Sequence, residues 1–528
     1  MVLLHLDFSA SPPKWKWMVY FTISSVLEVL FMLRDWTPHS DYQKKLRLKM
    51  LMHYETQRSR LLRLDKPISK IYLLNLDNLL PVIKPLYSDL GRPAKNQQGI
   101  IRSLVLMLDQ QDYSITKWAF KVASDPLLFD ICGFEGSAPA PASYYDFLVR
   151  LWMADRKQHL KRKRKVKRFT SKPKFKLKAG EKLPPKHSGT VKKLVDKAIH
   201  GKLKNFCPEV ILQKIIARCV VDTSYQMGIL GNKNDISVAF DGSPFYSGAS
   251  HYGVKVCDCR SKGIYNCQCP RRFSDPDAKW GWDSYREQWF FGNTLFNVTA
   301  SDSPYDLPIY IKMVQASRHD SITTVFALED IYKLYPYMRF GSFIADGAMD
   351  NYPTYKLLKH HGILPFISLD SRTKAKFHYP HPDILCFDDC GRPICHGGIP
   401  LVYWGLCEPY RLKYRCWFGV QGLEPPKECK CSDSKYGKTV YIKPDFDPRM
   451  FTPVPRDSDA FKEKFKTRTS VERSNKRMFE DYAIEEYDAR SAMMRTSLAA
   501  LAVINIHLDA WIKHTNISFV GLLEQQAA

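Results

Sequence analysis

Short apolar runs, spaced by polar turns and by stretches of helical periodicity, organise the chain from about residue 208 onward. Residues 236–240 (ISVAF) and 340–345 (FGSFIA) are apolar and read as buried strands, the first ending at Asp241 and the second at Asp346. Residues 288–300 (QWFFGNTLFNVTA) and 307–315 (LPIYIKMVQ) are rich in aromatic and β-branched side chains and predict a hairpin. Helical spacing follows over 321–335 and 352–361, then a strand over 363–369. A Cys-, Gly- and Pro-rich excursion runs to about 455, after which helices are predicted over 466–482 and 489–513.

Upstream the periodicity is helical throughout. Helices are predicted over 96–107, 114–123 and 143–152, the last opened by a Ser143 cap after the breaker APAPA. Residues 15–33 are apolar but contain Lys16, Glu28, Thr22 and two serines, so they read as an amphipathic helix and not as a membrane span. The pattern divides the chain into an N-terminal extension (1–70), a helical domain (71–155) that suits DNA binding or a plain scaffold, a basic linker (156–207), an α/β domain (208–515) and a tail (516–528). The α/β domain carries Cys-rich insertions at about 243–287 and 370–455.

Charge narrows the class of partner. The 528 residues carry a formal net charge of +25, which calls for a polyanion. Between Arg156 and Lys204 twenty lysines and arginines face only Glu181 and Asp196. That segment has few large apolar residues, and its cations suit salt-sensitive contact with phosphates without reading sequence. Nucleic acid is the expected polyanion, with an acidic membrane surface as the weaker option.

Three carboxylates then acquire a chemistry. Asp241 and Asp346 sit at strand ends and Glu472 lies in a helical stretch, an order that lets them converge on two divalent cations. Two such ions drive in-line displacement at phosphorus, and hard carboxylate oxygens suit Mg²⁺ or Mn²⁺. Arg468 and Lys476 fall beside Glu472 at helical spacing and are further candidates. His319 and Asp320, after the third strand, are candidates for the same neighbourhood or for a turn.

The element order is that of a ribonuclease H-like mixed sheet, and here the sequence resembles DDE-type insertion-sequence transposases over about residues 71–515. The resemblance is carried by LGRPAKNQQGIIRSLVLM, DPLLFDICGF, SDPDAKWGWDSYREQWFFGNTLF and LAALAVINIHLDAW. Members of that group often carry Tyr, Arg, Glu and Lys along the third-carboxylate helix. Arg468 and Glu472 match this pattern, while Phe465 stands for the Tyr and Phe479 for the Lys, so that Lys476 becomes the candidate cation. The resemblance implies a transposase that binds double-stranded DNA at mobile-element ends and target, cleaves it and transfers the strand, acting as a homo-oligomer on DNA with no membrane role and a cytoplasmic, nucleoid-associated location. The alternatives are a decayed or domesticated transposase that only binds DNA, and a ribonuclease H-like nuclease.

The fourteen cysteines are clustered. Cys257, Cys259, Cys267 and Cys269 form two C-x-C pairs that suit one tetrahedral, structural Zn²⁺. Cys395, Cys416, Cys429 and Cys431 are the preferred four for a second zinc in the later insertion.

Overall fold

The computed structural model describes residues 36–87, 93–153, 163–164, 189–205, 207–370, 381–408, 410–424, 426, 432–434 and 436–527. The apolar segment 15–33 and most of the basic linker lie outside the described residues. Among the described residues no helix is long and apolar enough to cross a membrane.

The N-terminal region is all-helical, with α1 (His39–Arg63), α2 (Asp65–Leu73), α3 (Gln97–Asp109), α4 (Ile115–Ser124), α5 (Pro126–Cys132) and α6 (Pro141–Arg150). Ser114 caps α4, its hydroxyl accepting from the Lys117 amide at 3.3 Å. The expected Ser143 cap does not form, because α6 starts at Pro141 and has no side-chain cap. Proline suits a first helical position, since it lacks the N–H that would go unpaired there and its φ is already helical. Tyr42, Leu46 and Met50 of α1 and Ile68 and Ile71 of α2 are buried, so the segment before residue 71 joins the main core.

The basic run meets the fold at Gly189, just before α7 (Thr190–Ile199). The central sheet contains β1 (Ile236–Tyr246), β2 (Lys279–Asp283), β3 (Gln288–Ala300), β4 (Leu307–Gln315), β5 (Phe340–Ala345) and β6 (Leu364–Ile367). β3 pairs antiparallel with β1 on one side and with β4 on the other, and β2 extends the β4 side beyond the shared register. β1 pairs parallel with β5, and β5 with β6. Leaving the short β2 aside, the order is β4-β3-β1-β5-β6 with only β3 reversed, a ribonuclease H-like mixed sheet. Helix α8 (Asp320–Leu334) joins β4 to β5, and α9 (Tyr352–His361) joins β5 to β6.

One correction falls on β1. The expected strand end at Asp241 is not observed, because β1 continues five residues further, through Gly242, Ser243 and Pro244 to Tyr246, paired with β3. β5 pairs with β1 only as far as Ala239, so the remainder of β1 keeps one edge free of β5 and tolerates a proline there.

After β6 the later insertion folds around an antiparallel sheet of β7 (Val402–Cys407), β8 (Arg411–Arg415) and β9 (Thr439–Ile442). It has its own small core, including Leu401, Leu412, Tyr414, Val440 and Ile442. The Arg449 guanidinium anchors it, reaching the fully buried Asp350 carboxylate at 2.6 Å.

The predicted helix over 466–482 is in fact broken. α10 (Asp459–Lys466) ends before Arg468, α11 (Thr469–Lys476) follows, and Arg477–Asp481 is a wider π-type turn. Phe465, Glu472 and Phe479 therefore do not form one helical stripe. Phe465 stacks on Phe461 within a cluster that includes Ile344 and Val471, and Phe479 packs edge-on against Phe245.

The last long helix, α12 (Ala492–Thr515), is buried over nearly its whole length and binds the two halves together. Its buried polar residues are engaged. Asn505 donates to the Val105 carbonyl in α3 at 3.0 Å, and Asp509 accepts from Lys70 of α2 at 2.9 Å. His507 sits between Ser224 and the Pro308 carbonyl, where burial pushes it down to about 4 and keeps it neutral.

Candidate functional site

The parallel register of β1 and β5 positions the first two carboxylates. Ala239 lies opposite Ile344, so two residues further along each chain Asp241 comes alongside Asp346. Asp346 leaves β5 into a tight turn and is exposed, its carboxylate accepting from the Ala348 amide at 3.0 Å. Asp241 is half-buried. Burial first, then the charge of Asp346, push its carboxyl up to about 6, with Glu472 adding to the shift and Arg468 and the Gly242 amide opposing it.

A third aspartate belongs to this group. Asp320 opens α8, and burial followed by the charges of Asp241 and Asp346 push it up to about 7. Its position explains the glycine beside Asp241: a Cβ on Gly242 would stand 2.8 Å from Asp320 Oδ1. His319 takes the turn role, capping α8 with its Nδ1 2.8 Å from the Ser321 hydroxyl.

Glu472 projects from the first turn of α11 and is exposed, ion-paired with Arg468. α11 is fixed against the sheet by an amide relay that the sequence alone does not reveal. Asn475 donates to Asp241 Oδ2 at 3.0 Å and accepts from Asn297 Nδ2 at 2.9 Å, and Asn297 also reaches the Ser474 hydroxyl at 3.1 Å. Asn297 is the β3 register partner of Asp241, so one cross-strand pair carries both ends of the relay. The available signals are Asn475 lying three residues past Glu472, on the same helical face, and a polar Asn297 inside an apolar strand. Lys476 is exposed, its ammonium 3.5 Å from Glu480.

Asp241, Asp346, Asp320 and Glu472 thus share one electrostatic field at the end of the β1–β5 pair. Such a concentration of partly buried negative charge favours a cation, and its hard oxygens suit a divalent one. Beside it opens a cleft of about 930 Å³, whose walls include Gly189, Lys192, Arg318, His319, Gly347 and Ala348.

The four cysteines of the first insertion come together as their spacing predicts. Cys257 and Cys267 lie 3.5 Å apart sulfur to sulfur, as do Cys259 and Cys269, and all four sulfurs are within 4.8 Å of one another. A tetrahedral Zn²⁺ with bonds of about 2.3 Å needs sulfurs about 3.8 Å apart, so the set can hold one structural zinc. Among the described residues no other group of three or more such side chains closes to that mutual distance. In the later insertion Cys395 and Cys416 are buried in its core, while Cys429 and Cys431 lie outside the described residues. No protein-family model matches the sequence, and no curated protein is significantly similar to it.

Proposed function

We propose that this protein is a DDE-type DNA transposase, binding mobile-element ends and cutting and joining DNA with Asp241, Asp346 and Glu472. What supports the reading is the electrostatic influence of Asp346 and Glu472 on Asp241, and of Asp241 and Asp346 on Asp320, on a ribonuclease H-like sheet in a strongly basic chain. Mg²⁺ or Mn²⁺, held by these carboxylates, would supply Lewis-acid stabilisation of the phosphorane charge and of the attacking oxygen. The chain's own residues do the placing. The sheet fixes Asp241 and Asp346, and the Asn475 relay sets the height of α11 and hence of Glu472. Arg468, in the field of Asp241 and paired with Glu472, offsets part of the negative charge before phosphate arrives. Lys192 and Arg318 in the cleft wall suit a phosphodiester backbone, and the basic run joins the fold at that same wall through Gly189.

Incubating the full-length protein with sheared DNA of its source genome, then sequencing the retained fragments, tests the reading. Enrichment of the paired ends of a mobile element is expected. Retention spread evenly over the genome would overturn it.

A further inference from the structure

Trp280, Trp282 and Trp289 stand 46%, 52% and 66% exposed on one face of the β2–β3 hairpin. Strand alternation gathers them there. Trp280 pairs with Phe291 and Trp282 with Trp289, while Gly281, Asp283 and Phe290 point to the opposite, buried face. Trp282 and Trp289 meet edge to face at 5.5 Å, His251 lies 5.0 Å from Trp280, and Tyr285 projects from the turn. Indoles combine a large apolar face with a polar edge, and so many in water on one small surface mark an interaction site.

Spacing, charge and position fit this shelf to nucleobases. Side chains two apart on a strand are separated by about 6.6–6.8 Å, twice the rise of about 3.4 Å between stacked bases, so a flat ring fits between Trp280 and Trp282. The insertion that adjoins the hairpin in sequence carries Lys255, Arg260, Arg271 and Arg272, and such cations suit the phosphates between bases. Phe291 and Trp289 also lie on the face of β3 that carries Asn297, the partner of Asp241. The six residue steps from Phe291 to Asn297 span about 20 Å of strand.

We propose that this shelf stacks the unpaired bases of a DNA strand whose backbone continues to the carboxylates; the second half of that statement rests on the transposase reading. Stacking needs exposed ring faces, which a duplex hides, so the shelf selects unpaired DNA. The test is fluorescence anisotropy of the full-length protein, without divalent cation, on a labelled single-stranded DNA, a duplex and an RNA of equal length. W282A/W289A is expected to weaken single-strand binding about tenfold or more while duplex binding changes less than about twofold. W282F/W289F, which keeps the ring faces, is expected to recover most of that loss.

Equal losses on single strand and duplex would overturn the proposal, as would tighter binding to the RNA. So would a wild-type dimer that W282A/W289A converts to monomer with single-strand affinity intact, because a second copy would then cover the shelf. The two readings fail separately. Tryptophan-dependent binding by a protein that never joins DNA removes the transposase and keeps the shelf, and joining that is indifferent to the tryptophans does the reverse.

Discussion

Asn475 couples the helix of the third carboxylate to the first: its side-chain amide donates to Asp241 Oδ2 at 3.0 Å while its oxygen accepts from Asn297 at 2.9 Å. Residues that orient a metal-binding carboxylate from behind are worth about 10–100-fold in metal affinity or activity. Asn475→Ala is therefore expected to lower divalent-metal-dependent cleavage by about that factor while DNA binding is retained. Cleavage rates over a Mg²⁺ titration check it, and a rate within twofold of wild type at every concentration would contradict the relay.

Crowded carboxylates also predict a pH dependence. Without metal, burial and mutual repulsion raise Asp241 to about 6 and Asp320 to about 7 from an ordinary value of 3.8. An acid with a raised folded value holds its proton more tightly when folded. Its contribution to stability is thus fully present below about pH 4 and is lost as pH rises through 6 to 7. Thermal unfolding of the metal-free protein is expected to show wild type losing more stability than Asp241→Asn across that window. Parallel curves for the two would contradict the coupling.

Zinc and the carboxylate site are expected to be independent. Soft thiolates favour Zn²⁺ and hard oxygens Mg²⁺, so C257S/C267S should lose the zinc of the first insertion and destabilise it, whereas Asp241→Asn keeps that zinc. Elemental analysis after metal-replete expression decides the matter. Wild type without zinc, or zinc lost in Asp241→Asn, would contradict the assignment.

The same insertion is locked to the body of the fold by Asp275 and Arg495, both fully buried and 2.6 Å apart. Breaking a buried pair by removing one partner strands the other charge, at a cost of about 3–5 kcal/mol. Asp275→Asn is expected to lower the midpoint of the first denaturant transition correspondingly. An unchanged midpoint would show that the pair is not holding the insertion.

Much of this architecture is legible in the sequence where burial is one-sided or periodic. The strand Phe340–Ala345, the hairpin of β3 and β4, and α9 emerge with the bounds that their apolar patterns predict. The rest depends on neighbours. Gly242-Ser243-Pro244 reads as a turn by composition, yet β1 runs through it, since β3 supplies a partner on one side and β5 stops short on the other. The break between α10 and α11 carries no Gly or Pro. It arises where Phe465 and Val471 both turn into the cluster around Ile344. At the site, Asp241, Asp346 and Glu472 are candidates from their local context and Asp320 from its place after the third strand, whereas the Asn297–Asn475 relay becomes visible only once β1, β3 and α11 are packed.

The central claim is that Asp241, Asp346 and Glu472 form one catalytic centre for cutting and joining DNA. Its most direct test is covalent joining of pre-cut element ends to a target plasmid with Mg²⁺, comparing wild type with Asp241→Asn, Asp346→Asn and Glu472→Gln. Each change keeps the side-chain shape and removes a charge that would hold metal. The account predicts joined product from wild type and none from any of the three variants, all of which still bind the ends. Joining by any one variant at a rate near wild type would contradict it.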